Sequence, residues 1–352
     1  MKGLRQTLRL IVGRGGFSGF SSNVSAASVH VCAVVCPKDA AALKSMPARP
    51  DVEFIVGNDM ADFAVDTERI DSLMFIATGG KPDLMPELFD ACPRVRWTHS
   101  LFAGVDALAP FIASRLSQSD VPLTNGRGAF SSSLAEYVLA AALHFNKQVP
   151  RCVENRQSQT WDKFVMPVLE GKTIGFVGYG NIGQSTARLA KAFGMKVLAL
   201  RRNPGKVDAS DVADETLGPE QKLELFRRSD FVVSVLPGTP ETENFCDAEA
   251  FGAMKPDAVF ISCGRGLVVD EDALADALQS RAIAGAALDV FKVEPLPKDS
   301  PLWACENLLL TAHNADFTED YFELGWQVWV ENFERHSTGQ ALVTPVSKTE
   351  GY

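Results

Sequence analysis

The chain reads as an α/β protein built on a doubly wound parallel sheet, with a second, smaller α/β domain beside it. From Lys172 onward, six short apolar runs alternate with helix-patterned stretches. The first of them, Lys172 to Val177, runs straight into Gly178-Tyr-Gly180-Asn-Ile-Gly183 and then a helical pattern from Ile182 to Phe193. A separate group of short apolar runs lies upstream, and 352 residues suit two domains better than one.

Taken in order, the first 28 residues stand apart. They carry Lys2, Arg5, Arg9 and Arg14, several Ser and Gly, and no acid; Asp39 is the first. On a helical projection Leu4, Leu8, Ile11 and Val12 share one face, opposite Lys2, Arg5 and Arg9. Such a start predicts an organelle transit segment, mitochondrial before plastid, with a cytoplasmic tail as the alternative. The upstream domain begins near Val29. Val29–Val35, Val52–Val56, Ser72–Ile76 and Val95–His99 are expected as buried strands. Ser133-Leu-Ala-Glu136 predicts a capping box opening a long helix with Leu134, Val138, Ala141, Ala142 and Phe145 on one face.

The downstream strands are expected at 172–177, 196–200, 231–236, 258–262, 285–288 and 308–312. In a doubly wound sheet, ligands bind beyond the carboxyl ends of the strands. Those ends read Gly178, Arg201-Arg202, Pro237-Gly238, Gly264-Arg265, Asp289 and His313. Turn chemistry accounts for the Gly and Pro; it does not account for Arg265, Asp289 and His313. The closing segment Glu319–Arg335 predicts a helix with Trp326, Trp329 and Phe333 inward, returning to the first domain.

The glycine spacing has a physical reading. Gly178 allows the tight turn, Gly180 lets backbone approach a pyrophosphate, and Gly183 lets helix and strand pack closely; the helix N-terminus then faces phosphate charge. Binders of the unphosphorylated dinucleotide place Asp or Glu at the end of the second strand, where it accepts from ribose hydroxyls. Here that position is Arg201, followed by Arg202. A guanidinium there attracts a 2′-phosphate, so NADPH is expected over NADH.

Composition narrows the function classes. Apolar residues make up 46% and charged residues 22%, ordinary values for a folded globular chain. The net charge of −10 argues against nucleic acid, and no apolar run is long enough for a membrane helix. Seven scattered Cys without C-x-x-C pairs predict reduced, buried thiols and no metal. His30, His99, His144 and His336 lack a setting comparable to that of His313 and are expected to be structural.

Three further segments, Ser262-Cys263-Gly-Arg265-Gly-Leu-Val-Val-Asp-Glu, Leu288-Asp289-Val-Phe-Lys-Val-Glu294-Pro and Thr311-Ala-His313, resemble the D-isomer-specific 2-hydroxyacid dehydrogenases. Trp161, Leu236-Pro237-Gly-Thr-Pro-Glu-Thr242, Asn125-Gly-Arg-Gly, Ala135-Glu136 and the closing Gly351-Tyr352 extend the match from the first strand to the last residue. The resemblance implies a Rossmann nucleotide domain, 125–316, inserted in a flavodoxin-like substrate domain formed by 29–124 and 317–352, the two closing around a cleft. It implies Arg265, Glu294 and His313 as the catalytic trio. Leu101-Phe-Ala103-Gly104-Val105-Asp corresponds to the loop whose N–H groups hold the substrate carboxylate, with Arg265 and His313 completing the substrate site. The dinucleotide would be lined by Gly178, Gly180, Asn181, Ile182, Gly183, Arg201, Arg202, Leu236, Pro237, Thr242, Cys263, Arg265, Asp289 and His313, with Asp289 on the nicotinamide carboxamide. It also implies a homodimer packed through the helix near Glu136. Three positions depart from the pattern: Ala312 where Pro is usual, Asp316 where a small residue is usual, and Ser262 where Asn is common.

These residue types suit reduction of a 2-keto acid. An imidazole titrates near neutrality and can protonate the carbonyl oxygen. Beside it, the Glu294 carboxylate would favour the imidazolium and fix the ring, while the forked, permanent charge of Arg265 grips a carboxylate. Singly, each also fits a core histidine, a turn carboxylate and a surface ion pair; at strand ends together they point to catalysis. The expected activity is reduction of a small 2-keto acid, such as glyoxylate or hydroxypyruvate, to the D-2-hydroxy acid. Phosphoglycerate dehydrogenases often carry a C-terminal regulatory extension, whereas this sequence stops at Tyr352. The alternative is a dinucleotide-sensing co-repressor of the same fold, which predicts a nuclear address and interaction tails instead of a transit-like start.

Overall fold

The computed structural model describes residues 29–205 and 211–352 and divides into two compact units, Met1–Ala129 with Asp320–Tyr352, and Phe130–Glu319. The transit segment expected over residues 1–28 lies outside the described residues.

The first unit holds a parallel sheet of β1 (His30–Val35), β2 (Val52–Gly57), β3 (Ser72–Phe75), β4 (Trp97–Ser100) and β5 (Leu123–Asn125), in the order β2-β1-β3-β4-β5. This is the flavodoxin-like order. β1 and β3 are buried along nearly their whole length, which is why they appear in the sequence as mostly apolar runs without alternation. The short β5 escapes periodicity analysis, because three residues carry no pattern. Asn125 ends β5 and Gly126 donates its N–H to Phe102 O, so 125–129 belong with this unit and not, as the sequence had suggested, with the second.

The helix Tyr321–Ser337 closes the first unit. Trp326, Trp329 and Phe333 are buried, Trp329 stacks on Trp97 with ring centroids 5.8 Å apart, and Trp326 Nε1 donates to Ala42 O at 2.7 Å. Rings of this size supply much of the apolar area that the unit buries.

The second unit holds seven parallel strands: β6 (Thr173–Val177), β7 (Lys196–Leu200), β8 (Glu215–Leu217), β9 (Phe231–Ser234), β10 (Val259–Ser262), β11 (Gly285–Leu288) and β12 (Leu308–Leu310). Their order is β12-β11-β10-β9-β6-β7-β8. Chain direction across the sheet reverses between β6 and β9, the switch point where doubly wound sheets open a crevice. Because all strands are parallel, Gly178, Arg201, Leu236, Cys263, Asp289 and Thr311 follow strand ends on one edge. Only the three-residue β8 is missing from the sequence reading.

One expectation fails here. The long helix runs Ser131–Asn146 with Phe130 at its N-cap and no side-chain cap, so Ser133 lies inside the first turn. Its hydroxyl donates to Ala315 O instead. A local pattern gave way to a contact 182 residues away in sequence.

Candidate active site

At the carboxyl end of β6, Gly178 adopts φ +92°, and a Cβ there would come within 3.0 Å of Leu236 Cδ2. Gly183 packs beneath it, where an added Cβ would meet Gly178 O at 3.1 Å. Gly180 differs from both: an added Cβ would meet nothing within 4 Å among the described residues. No described residue demands glycine at 180, and the open space there leaves room for close approach of an outside group. Asn181 is the first residue of the helix Asn181–Ala192, followed by Ile182, so the free N–H groups of that helix start at this turn. Leu236 packs on the turn, and Thr242 Oγ1 donates to Pro237 O at 2.7 Å, fixing the next loop. This cradle fits the diphosphate of a dinucleotide.

At the end of β7, the two arginines expected to attract a 2′-phosphate each stand beside an acid. Arg201 is ion-paired with Asp211, and its guanidinium lies 4.8 Å above the Tyr179 ring. Arg202 is exposed and sits 3.3 Å from Glu241. Both cations are at the expected place, and each meets an acid that no local pattern identifies.

The carboxyl ends of β11 and β12 make one connected structure. The His313 N–H donates to Asp289 O at 2.8 Å. The Asp289 carboxylate, 1% exposed, accepts the Thr311 hydroxyl at 2.6 Å and the N–H groups of Asn314 at 3.1 Å and Ala315 at 3.2 Å. The Tyr137 hydroxyl stands 3.1 Å from Thr311 Oγ1. Asp289, expected as a nicotinamide contact, therefore also shapes the turn that carries the histidine. His313 itself has φ +49°, an uncommon conformation for a residue with a Cβ. Its Nδ1 lies 2.7 Å from Glu294 Oε2, while Glu294 Oε1 accepts the Phe291 N–H at 2.9 Å. Both side chains are part-exposed, at 41% and 35%. The Ala312 N–H, which Pro would lack, donates to Asn314 Oδ1 at 3.1 Å.

Arg265 follows β10, with Nη1 donating to Gly264 O at 2.9 Å. Gly264 is forced to be small, since a Cβ would fall 2.7 Å from Leu236 O. Cys263 is buried, and burial pushes its thiol well above the ordinary range, with the charges of Asp289 and Asp316 adding to the push. Asp316 has its carboxyl raised, first by burial, against the lowering pull of His313 and with Asp289 adding to the rise; Arg265 also lowers it. Arg265, His313 and Asp316 thus share one electrostatic neighbourhood.

Ala103, Gly104 and Val105 lie in the first unit. Asn125 Nδ2 donates to Ala103 O at 2.6 Å, the Gly126 N–H to Phe102 O at 3.1 Å, and Ser100 Oγ to Gly104 O at 3.4 Å. With those carbonyls held, the N–H groups of Ala103, Gly104 and Val105 have no hydrogen-bond acceptor among the described residues. Successive open N–H groups form an anion-binding concavity. Among the described residues no cluster of His, Cys, Asp or Glu has metal-binding geometry, and all seven cysteines are free thiols.

Residues 139–315 match the family described as D-isomer specific 2-hydroxyacid dehydrogenase, NAD binding domain. The glyoxylate reductase of Pyrococcus furiosus is 32% identical over 273 residues, which cover 74% of this chain and 79% of that one. The glyoxylate/hydroxypyruvate reductase B of Escherichia fergusonii is 34% identical over 241 residues, 66% of this chain and 72% of its own. Among solved structures, the NADPH-dependent glyoxylate/hydroxypyruvate reductase of Sinorhizobium meliloti, in complex with NADP and sulfate, superposes with a TM-score of 0.76 at 28% identity, covering 92% of this chain and all of that one. A sheet switch point, a glycine turn at a helix start and an imidazole–carboxylate pair at a neighbouring strand end thus occur together in one unit, and the chain belongs to the D-isomer specific 2-hydroxyacid dehydrogenases, NAD(P)-dependent oxidoreductases.

Proposed function

We propose that this protein reduces small 2-keto acids, of the glyoxylate and hydroxypyruvate class, to D-2-hydroxy acids, with NADPH preferred over NADH. The observation that carries the proposal is the His313–Glu294 pair at 2.7 Å on the ligand-binding edge of the second sheet. Glu294 takes Nδ1 and leaves Nε2 to face substrate, so Nε2–H is the proton donor to the keto oxygen. Phe291 N–H fixes the other Glu294 oxygen, which keeps the imidazole from swinging. Arg265 binds the substrate carboxylate and polarises the carbonyl. In the first unit, the open N–H groups of Ala103, Gly104 and Val105 are suited to a carboxylate as well.

Gly178, Gly180, Asn181, Ile182 and Gly183 would hold the diphosphate, with Leu236, Pro237, Thr242 and Cys263 lining the site and Asp289 on the carboxamide. When bound, NADPH supplies the hydride. The cofactor preference rests on Arg201 and Arg202, which stand where an acid would repel the 2′-phosphate. The test is loss of NADPH absorbance with glyoxylate, hydroxypyruvate, pyruvate and bulkier keto acids, repeated with NADH. No turnover on any of them refutes the activity, and an equal or lower KM for NADH refutes the preference.

A homodimer formed through the region of the Ser131–Asn146 helix belongs to the same reading. It is supported by the apolar exposure just after it: Trp161 is 100% exposed, Val165 80% and Val168 60%. A single monomer-sized species in light scattering refutes it. Residues 1–28 are proposed as a mitochondrial transit segment, and an intact Met1 on protein from its native cells refutes that.

A further inference from the structure

The acid facing Arg201 is itself built in. Asp211 is 4% exposed at its side chain and Arg201 14%, so their ion pair is largely shielded from water. Asp211 Oδ1 also accepts the Ala213 N–H at 3.0 Å, which ties the carboxylate to its own loop. The Arg201 guanidinium carbon lies 4.8 Å from the ring centroid of Tyr179, the residue between the first two glycines of the dinucleotide turn. Burial first, and then the Asp211 charge, push the Tyr179 hydroxyl up to about 12, which places ring, cation and acid in one small space. For Asp211, burial works against ionisation, but the Ala213 N–H and Arg201 outweigh it and hold the carboxyl below its usual range. At neutral pH the pair is therefore cation against anion with no net charge, beside the turn that the dinucleotide uses.

A 2′-phosphate needs the Arg201 charge that Asp211 already uses, and it meets the negative charge of Asp211 while approaching. We propose that Asp211 is a positioning residue that sets the margin between phosphorylated and unphosphorylated dinucleotides, by competing with the 2′-phosphate for the Arg201 guanidinium. This rests on the assignment of Arg201 as the phosphate-binding cation. It makes discrimination an adjustable difference between two anions for one guanidinium, with the preference for NADPH narrower than two bare arginines would give.

The test is calorimetric titration with 2′,5′-ADP, which carries the 2′-phosphate, and with 5′-AMP, which lacks it. Asp211→Asn keeps an oxygen for the Ala213 N–H and removes the charge. It should bind 2′,5′-ADP on the order of tenfold tighter, with 5′-AMP unchanged, while Asp211→Glu stays near wild type. In an Arg201→Gln background the same substitution should no longer matter, since the effect runs through that guanidinium. Unchanged or weaker 2′,5′-ADP binding in D211N overturns the proposal; if D211N does not fold, Asp211→Ser, whose hydroxyl can also accept the Ala213 N–H, gives the same reading. The cofactor assignment fails separately: it is wrong if the wild type binds 2′,5′-ADP no better than 5′-AMP, whether or not D211N gains affinity.

Discussion

Asp289 holds His313 from two directions. Its backbone carbonyl takes the His313 N–H, and its carboxylate takes the N–H groups of the two residues that follow. The uncommon φ of +49° at His313 is sustained by this grip. Asp289→Asn turns one acceptor oxygen into a donor that faces donors. Turnover should fall about 10²-fold through misplacement of the imidazole, with a lowered melting temperature. Steady-state kinetics with glyoxylate check it, and an unchanged kcat would show that the grip is dispensable.

Glu294 is part-exposed and stands at the surface of the site, so its role separates from folding. Glu294→Gln should lower kcat about 10²-fold, and His313→Ala by about 10²- to 10⁴-fold, each with a melting temperature near wild type. Near-wild-type turnover in both variants is the result that removes the acid role of Nε2.

Gly180 tests the cradle without disturbing the core. Since a Cβ at 180 meets no atom of the described residues within 4 Å, Gly180→Ala should leave the melting temperature nearly unchanged while weakening NADP(H) binding several-fold. Gly178→Ala, at φ +92°, should cost about 1 kcal/mol or more of stability as well. Cofactor titrations and thermal melts on the two variants distinguish the roles.

Acid stability should depend on one buried and one half-buried imidazole of the first unit, His99 and His30. Burial lowers His99 to about 3, and lowers His30 to about 4 against the pull of Asp71. Unfolded imidazoles titrate near 6.5, so below that pH the unfolded chain takes up protons that the folded one refuses. Stability is therefore full above about pH 6.5 and lost as pH falls toward 3. Each imidazole kept neutral in the fold costs about 1.4 kcal/mol for every pH step below its unfolded titration point, until the folded group takes its own proton. Urea unfolding followed through the buried Trp97, Trp326 and Trp329 should show a shallower loss between pH 7 and 4.5 in His99→Asn than in wild type. Equal slopes would exclude His99 as a source.

Asp316 brings a negative charge to the neighbourhood of His313 and Arg265. Asp316→Asn should lower KM for a keto acid with a second carboxylate, such as oxaloacetate, several-fold, and change KM for glyoxylate little. A parallel change for both substrates would mean that the charge acts on binding in general.

The sequence made the large features legible because their signals are local. Strands buried on both faces appear as apolar runs, and Gly178, Gly180 and Gly183 are constrained within one turn. Asp289 and His313 stood out as polar residues at strand ends, and Glu294 came from the family resemblance alone. The partners were not. Asp211 meets Arg201 across a loop, Tyr137 reaches Thr311 from 174 residues away, and Ser133 bonds to Ala315 where a helix cap was the local expectation. Each of these contacts is fixed by tertiary geometry, and neither charge pattern nor periodicity encodes it. The strands β5 and β8 went unseen for a simpler reason, being three residues long.

Ser133 and Tyr137 stand one turn apart on the same side of their helix, and both reach the segment that carries the imidazole. A stiff rod fastened at two points transmits its own tilt to whatever it grips. Substitutions on the opposite side of that rod are therefore positioned to shift His313 by leverage, without touching it.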